Sequence, residues 1–289
     1  MTISTEVFSA WDFINANIGP AFRSESISYN TTPRTLNPTK GHHNRKFNAY
    51  LVKGDVDIHL GNIFLITAEA DYGWITHGNS YFELDDVTDT GQYLSTRDII
   101  TGHVHGHAYD YSAGAGLQAS YFQDTISGGI LGGYAYNYTD VSIKDFNDQI
   151  NNDNLSLSPK IHSYYKSNFR GPWVGIFTSV KPISFWIVNF AYAYHFLTYH
   201  SDVTDNFFIG GRRYNLRSQS FFGNEVKFST IIKLKCNFEL GVDLDCKFYQ
   251  GKKAKLTIDR SLIDRDTVRK AYHFKFIQYT GCVKIGYYY

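Results

Sequence analysis

Three histidines at alternate positions, His103, His105 and His107, form the most regular set of side chains in the sequence able to do chemistry. In a strand, alternate residues share one face, so the imidazoles point the same way and a metal site is conceivable on ligand type. Neighbours on such a face stand ~6.5–7 Å apart, too far for one ion without a bent backbone. Exposed histidines at a sheet rim are the plainer reading. Carboxylates gather in two other stretches, Asp85 with Asp86 and Asp89, and Asp202 with Asp205, and from residue type alone these read as solvated acidic loops. Arg212, Arg213, Arg217, Arg265, Arg269 and Lys270 make a basic set able to attract anionic lipid headgroups or an anionic ligand. Cys236, Cys246 and Cys282 show neither a CxxC pair nor a zinc spacing, so no metal, cofactor or disulfide framework is expected.

The elements that must position these groups show period two. The apolar series Tyr50, Val52, Val56, Ile58 and Leu60 alternates with Lys53, Asp55, Asp57 and His59, and Phe64, Ile66, Ala68, Ala70, Tyr72 and Trp74 alternate with Thr67, Glu69 and Asp71. The pattern recurs around Tyr109–Tyr121, 126–138, Trp186–Phe196, 225–234 and Phe238–Phe248. This is strand periodicity, not helical periodicity. With less regular strands near Trp11–Phe22, Asn168–Val180 and Tyr272–Tyr289, the count is ten, in one domain spanning residues 1–289.

Composition narrows the class. The 289 residues hold 28 Lys+Arg and 27 Asp+Glu, a net charge of +1, without the clustered basic excess of a nucleic-acid binder. Aromatic residues make up 17% of the chain, which excludes a disordered one. No run of ~18 uncharged apolar residues exists, so no membrane-spanning helix is expected; a spanning barrel of strands is compatible with the same composition. The start at Met1 lacks a basic segment followed by an apolar core, so an exported chain would be in its mature form here.

Connections alternate in length. Leu60-Gly61-Asn62, Phe122-Gln123-Asp124, Lys181-Pro182-Ile183 and Leu234-Lys235-Cys236 are tight, whereas 30–45, 78–106, 139–164, 200–217 and 251–269 are long and polar. Short turns at one end and long loops at the other characterise outer-membrane barrels. The expected fold is therefore all-β, a ten-stranded antiparallel transmembrane barrel with short periplasmic turns and long extracellular loops. Its apolar series would face lipid. Lys53, Asp55, Glu69, Asp71, Glu225, Lys227, Glu239, Asp243 and Lys247 would face inward and cross-link as a lumen charge network. A soluble lipocalin-like barrel would reverse the faces. Gly114, Gly116, Gly129 and Gly133 leave room on one side of the lumen, so a narrow conductance is conceivable in a barrel of this size.

The tail Val283-Lys-Ile-Gly-Tyr-Tyr-Tyr289 puts Val283, Ile285, Tyr287 and Tyr289 on one face. It resembles the C-terminal signature by which bacterial outer-membrane barrels are recognised by their assembly machinery. The resemblance implies location in the bacterial outer membrane. The implied partners are that machinery and outer-membrane lipid, with lipopolysaccharide as a candidate.

Ile14-Asn-Ala-Asn-Ile18, Gly73-Trp-Ile-Thr76 and Phe82-Glu-Leu-Asp-Asp86, with the later hairpin of Tyr165–Val174 and Trp186–Tyr199, resemble the omptin family of outer-membrane proteases. That resemblance implies that Asp85 and Asp86 match the family's first acidic pair, which binds or activates the attacking water. Asp205 matches the aspartate of a second, Asp-His pair. Phe207 stands where the histidine would be, and a phenyl ring cannot accept a proton. The chain also resembles, in general character, the outer-membrane proteins of environmental chlamydiae. The first functional expectation is thus non-enzymatic: envelope structure, narrow permeation or loop-mediated surface binding. The second is an omptin-like endopeptidase using Asp85, Asp86 and Asp205.

Overall fold

The computed structural model describes residues 13–32, 40–61, 63–87, 93–96, 99–121, 125–150, 153–156, 163–205, 212–259 and 267–288. Its strands are β1 (Phe13–Thr32), β2 (Lys40–Leu60), β3 (Phe64–Val87), β4 (Tyr93–Thr96), β5 (Ile99–Tyr121), β6 (Ile126–Ile150), β7 (Asp153–Ser156), β8 (Ser163–Ile183), β9 (Trp186–Asp205), β10 (Arg212–Lys233), β11 (Phe238–Asp259) and β12 (Thr267–Tyr288). Ten long strands pair antiparallel with their chain neighbours, and β1 pairs with both β2 and β12, which closes the sheet into a barrel. The short β4 and β7 add hairpins to the upper ends of β3 and β6. The turns at the other end are tight: Gly61 adopts φ +60, and Cys236 and Asn237 both adopt φ 63 between β10 and β11.

Ile18, Phe22, Tyr50, Val52, Phe64, Ile66, Trp74, Leu117, Ile130, Val174, Ile176, Phe190, Leu244, Val283 and Ile285 all stand exposed on the outer wall. Their even spacing in each strand puts them on one face, and only a bilayer can cover so continuous an apolar band. The band runs on β2 from Leu60 up to Tyr50, roughly 25 Å at ~3.3 Å per residue and ~40° tilt. An aromatic girdle marks its upper edge, with Phe22 paired to Tyr50, Tyr50 to Trp74, Tyr109 to Tyr138 and Phe196 to Phe222.

The long strands have 20 to 25 residues, about twice what a span requires. Their upper halves therefore stand in water, and there the alternation changes phase. In β9 the apolar outer residues end at Phe196, and the apolar series continues one residue out of step as Leu197, Tyr199 and Val203, all buried inside. The same inversion takes β1 from Phe22 to Ile27 and Tyr29, β2 from Tyr50 to Leu51, Ala49 and Phe47, and β8 from Val174 to Trp173, Phe169 and Tyr165. Solvent identity forces it: lipid favours apolar side chains outside, and water favours them inside. Much of what reads as long polar loops, such as 40–45, 78–87, 139–150 and 251–259, is consequently strand.

Candidate functional site

The barrel interior has two tiers. Below the girdle it is ionic. Arg23 lies 2.6 Å from Asp71 and 3.0 Å from Asp110, and is 1% exposed. Lys247 Nζ donates to Asp110 at 2.8 Å and stands 3.6 Å from Glu225 and 3.8 Å from Asp245. Asp110 also accepts from Asn137 at 2.6 Å and Gln278 at 3.1 Å. Glu225 faces His195 Nε2 at 3.0 Å and Lys227 at 3.5 Å; Lys227 bridges on to Glu69, which Lys53 approaches at 3.6 Å. Nearer the periplasmic turns, Lys284 sits between Asp55 at 3.2 Å and Asp243 at 3.0 Å, and Asn17 donates to Asp55 at 2.7 Å. Buried charges persist only when paired and hydrogen-bonded, and these pairs tie strands from all around the wall.

Eight of the nine residues in the expected lumen network take part: Lys53, Asp55, Glu69, Asp71, Glu225, Lys227, Asp243 and Lys247. Glu239 departs from the expectation. It lies inside, but its carboxylate accepts no hydrogen bond among the described residues. Sequence reasoning missed Asn17, Arg23, Asp110, Asn137, His195, Asp245, Gln278 and Lys284 as members. Each sits on the inward parity of its strand, the one signal that could have found them.

Above the network lies an aromatic plug. Phe169 contacts Tyr199, Phe276, Phe221 and Tyr249 at ring separations of 4.7, 4.7, 5.5 and 5.6 Å. Tyr165 and Tyr199 share a 2.7 Å hydrogen bond, and the Arg45 guanidinium lies 4.1 Å above the Tyr165 ring. Glu25 is buried where the tiers meet and accepts from Thr139 at 3.1 Å. Burial pushes its carboxyl up to about 7, against the pull of Arg23. One void between the two tiers, lined by Glu69, Asp110, Asn137, Phe169, His195, Glu225, Lys247 and Tyr249, is only large enough for about one water.

The room expected beside the lumen glycines is taken. A Cβ at Gly114 or Gly133 would lie 2.6 or 2.7 Å from the Trp173 indole, and one at Gly129 would lie 2.7 Å from Phe177. Glycine is required there because the Trp173 and Phe177 rings from β8, and at Gly129 and Gly133 also a β5 carbonyl oxygen at 2.1 Å, leave no room for a Cβ.

At the rim, the backbone of Asp85 pairs with Lys40 and Ser95, that of Asp86 with Leu94, and that of Asp205 with Arg212. Three strands separate β3 from β9 one way round and five the other, so the two acidic positions stand nearly opposite across the mouth. Their side chains lie outside the described residues, as do Asp89 and Phe207 entirely. His200 turns to the outer wall, where it meets Asp202 at 3.1 Å and Asn215 at 3.0 Å. On β5, His107 stacks on Tyr72 at 5.9 Å on the outside, and among the described residues no three His, Cys, Asp or Glu come together as a metal site. Of the basic set, Arg217 is exposed on the outer wall; the side chains of Arg212, Arg213, Arg269 and Lys270, and all of Arg265, lie outside the described residues.

The model of one protein family, described as Pom, Protochlamydia outer membrane protein, matches residues 17–280. No curated protein matches the chain. Among solved structures, outer membrane protease OmpT from Escherichia coli superposes with a TM-score of 0.78 at 13% identity, covering 100% of both chains. The outer membrane protein OprG from Pseudomonas aeruginosa matches at a TM-score of 0.31 and 11% identity, covering 97% of each chain. At these identities the likeness to OmpT is one of fold.

Proposed function

The chain belongs to the Protochlamydia outer membrane protein family and is a ten-stranded barrel of the bacterial outer membrane; from that premise we propose that it is a closed, non-enzymatic surface barrel whose rim does the binding. The observation that carries this reading is the filled interior, ionic below and aromatic above, with a void of about one water between. Such an interior makes a stiff pedestal and a poor pore. The strands continue about as far above the girdle as below it, which lifts the rim clear of the headgroups. Solute flux into vesicles carrying the folded protein tests this: the expected rate equals that of empty vesicles, and size-dependent sugar entry overturns it.

A second reading, an omptin-like endopeptidase, is favoured by one observation, the position of Asp85 and Asp86 on β3 nearly opposite Asp205 on β9. Against it, His200 is engaged on the outer wall with Asp202 and Asn215. Cleavage of a fluorogenic dibasic peptide by folded protein, lost in Asp85→Ala, would establish the peptidase; no cleavage supports the pedestal.

A further inference from the structure

We infer that the periplasmic end of the seam at which the barrel closes binds a hard divalent cation, calcium before magnesium, between Glu239 of β11 and Asn17 of β1. Both side chains face inward and are buried, Glu239 to 1% exposure and Asn17 to 6%. β12 runs between them, and its Gly286 is the ladder partner of both. A Cβ on Gly286 would fall 1.8 Å from Asn17 Oδ1 and 2.9 Å from Glu239 Cγ. The two side chains therefore share the space that this glycine leaves open.

They bring only acceptors into it. Both Glu239 carboxylate oxygens and Asn17 Oδ1 are buried with no hydrogen-bond donor among the described residues. The orientation of the amide is fixed from the other side, because Asn17 Nδ2 donates to Asp55 on β2 at 2.7 Å. Turning it over would set its oxygen against the Asp55 carboxylate. Asn15 Oδ1, on the same face of β1 and nearer the turns, is also buried without a donor. The ammonium opposite Glu239 in the β10–β11 ladder is that of Lys233. Its Nζ stands over the Tyr288 ring, 4.3 Å from the centroid, and Glu239 accepts nothing from it. A buried carboxylate persists in its charged form when it is paired or coordinates a metal.

Donor chemistry selects the ion. Carboxylate and amide oxygens suit calcium or magnesium rather than the transition metals. Two unpartnered oxygens on one carboxylate allow bidentate binding, which fits the larger and geometrically tolerant calcium better than octahedral magnesium. The surrounding charge agrees. Asp55, Asp57, Asp243 and Glu239 line this part of the lumen with Lys233 and Lys284, whereas Lys53, further from the turns, is engaged by Glu69 at 3.6 Å. A divalent ion balances these four carboxylates against the two ammoniums. It would tie β1 to β11 across β12, clamping the first and last strands where they meet.

The test refolds full-length protein in nonionic detergent with EDTA, with calcium or with magnesium, so that the ion is present while the seam closes. Each ion is used at ~10 mM, above the ~0.1–1 mM dissociation constants of weak oxygen-ligand sites. Calcium should raise the thermal midpoint of the parent and of Asp140→Asn by roughly 3–6 °C over EDTA, and magnesium should raise it less. Glu239→Gln should lose the calcium increment. In EDTA it should unfold above the parent, because its new amide can donate to Asn17 Oδ1. Equilibrium dialysis against radioactive calcium gives a direct count, in which Glu239→Gln should bind one ion fewer per chain. An equal count, or an equal calcium increment, in folded Glu239→Gln overturns the site. A parent indifferent to calcium and matched by Glu239→Gln in EDTA overturns it in favour of a protonated Glu239 donating to Asn17. A magnesium increment as large as that of calcium overturns the choice of ion.

Discussion

Lys247 is the cation on which the ionic tier converges, so its replacement should cost more than that of a neighbouring anion. Lys247→Met removes the 2.8 Å bond to Asp110 and the contacts with Glu225 and Asp245. Breaking a buried pair by deleting one partner costs ~3–5 kcal/mol. Asp110 keeps Arg23, Asn137 and Gln278, and Glu225 keeps His195 and Lys227, which puts the loss near the lower end, about 3 kcal/mol. Asp245→Asn is the counterpart. Its carboxylate has Lys247 only at 3.8 Å, and its Oδ1 accepts no hydrogen bond among the described residues. It is buried and also faces the Glu225 carboxylate, so removing its charge should cost under ~1 kcal/mol. Urea unfolding in detergent, followed by tryptophan fluorescence, reads both. With a slope near ~3 kcal/mol per molar, Lys247→Met should lower the midpoint by about 1 M, and Asp245→Asn should leave it nearly unmoved. Equal losses in the two variants, or none in Lys247→Met, would refute the account of Lys247 as the cation on which the tier converges.

Other outcomes follow from the same interior. Glu25 is held up to about 7 from an ordinary 4.5, so the folded barrel binds a proton there that the unfolded chain releases. Its contribution is full below pH ~4.5 and is lost as pH rises through ~7, by roughly 3 kcal/mol; Glu25→Gln should abolish that slope in unfolding midpoints taken across the range. Trp173→Ala empties the space walled by Gly114 and Gly133 and should cost ~3–5 kcal/mol, read as a lowered thermal midpoint of the heat-modifiable band. Gly133→Leu, whose Cβ would lie 2.1 Å from the Ala113 carbonyl oxygen and 2.7 Å from Trp173, should fail to refold into the compact form.

The lower half of the barrel was legible because lipid imposes one rule on every strand. Tyr50 through Leu60 outside and Lys53 through Asp57 inside are readable by parity alone, and the structure keeps that parity. The upper half was hidden by the change of rule at the girdle. Phe196 and Leu197 are adjacent apolar residues in sequence, yet one faces lipid and the other packs in the plug, and a reader holding one parity sees only a polar loop beyond. The lumen glycines misled for a related reason: sequence shows the missing side chains of Gly114 and Gly133, but not that Trp173 from another strand occupies them. Charged partners were legible as inward residues and illegible as pairs, since Lys284 with Asp55 joins positions 229 residues apart.

The central claim is that this interior is closed. Single-channel recording of the refolded protein in a planar bilayer tests it most directly. The account predicts insertion, shown by protease protection of the strands, without stepwise current at either polarity. Steady ohmic steps from the parent protein would contradict it.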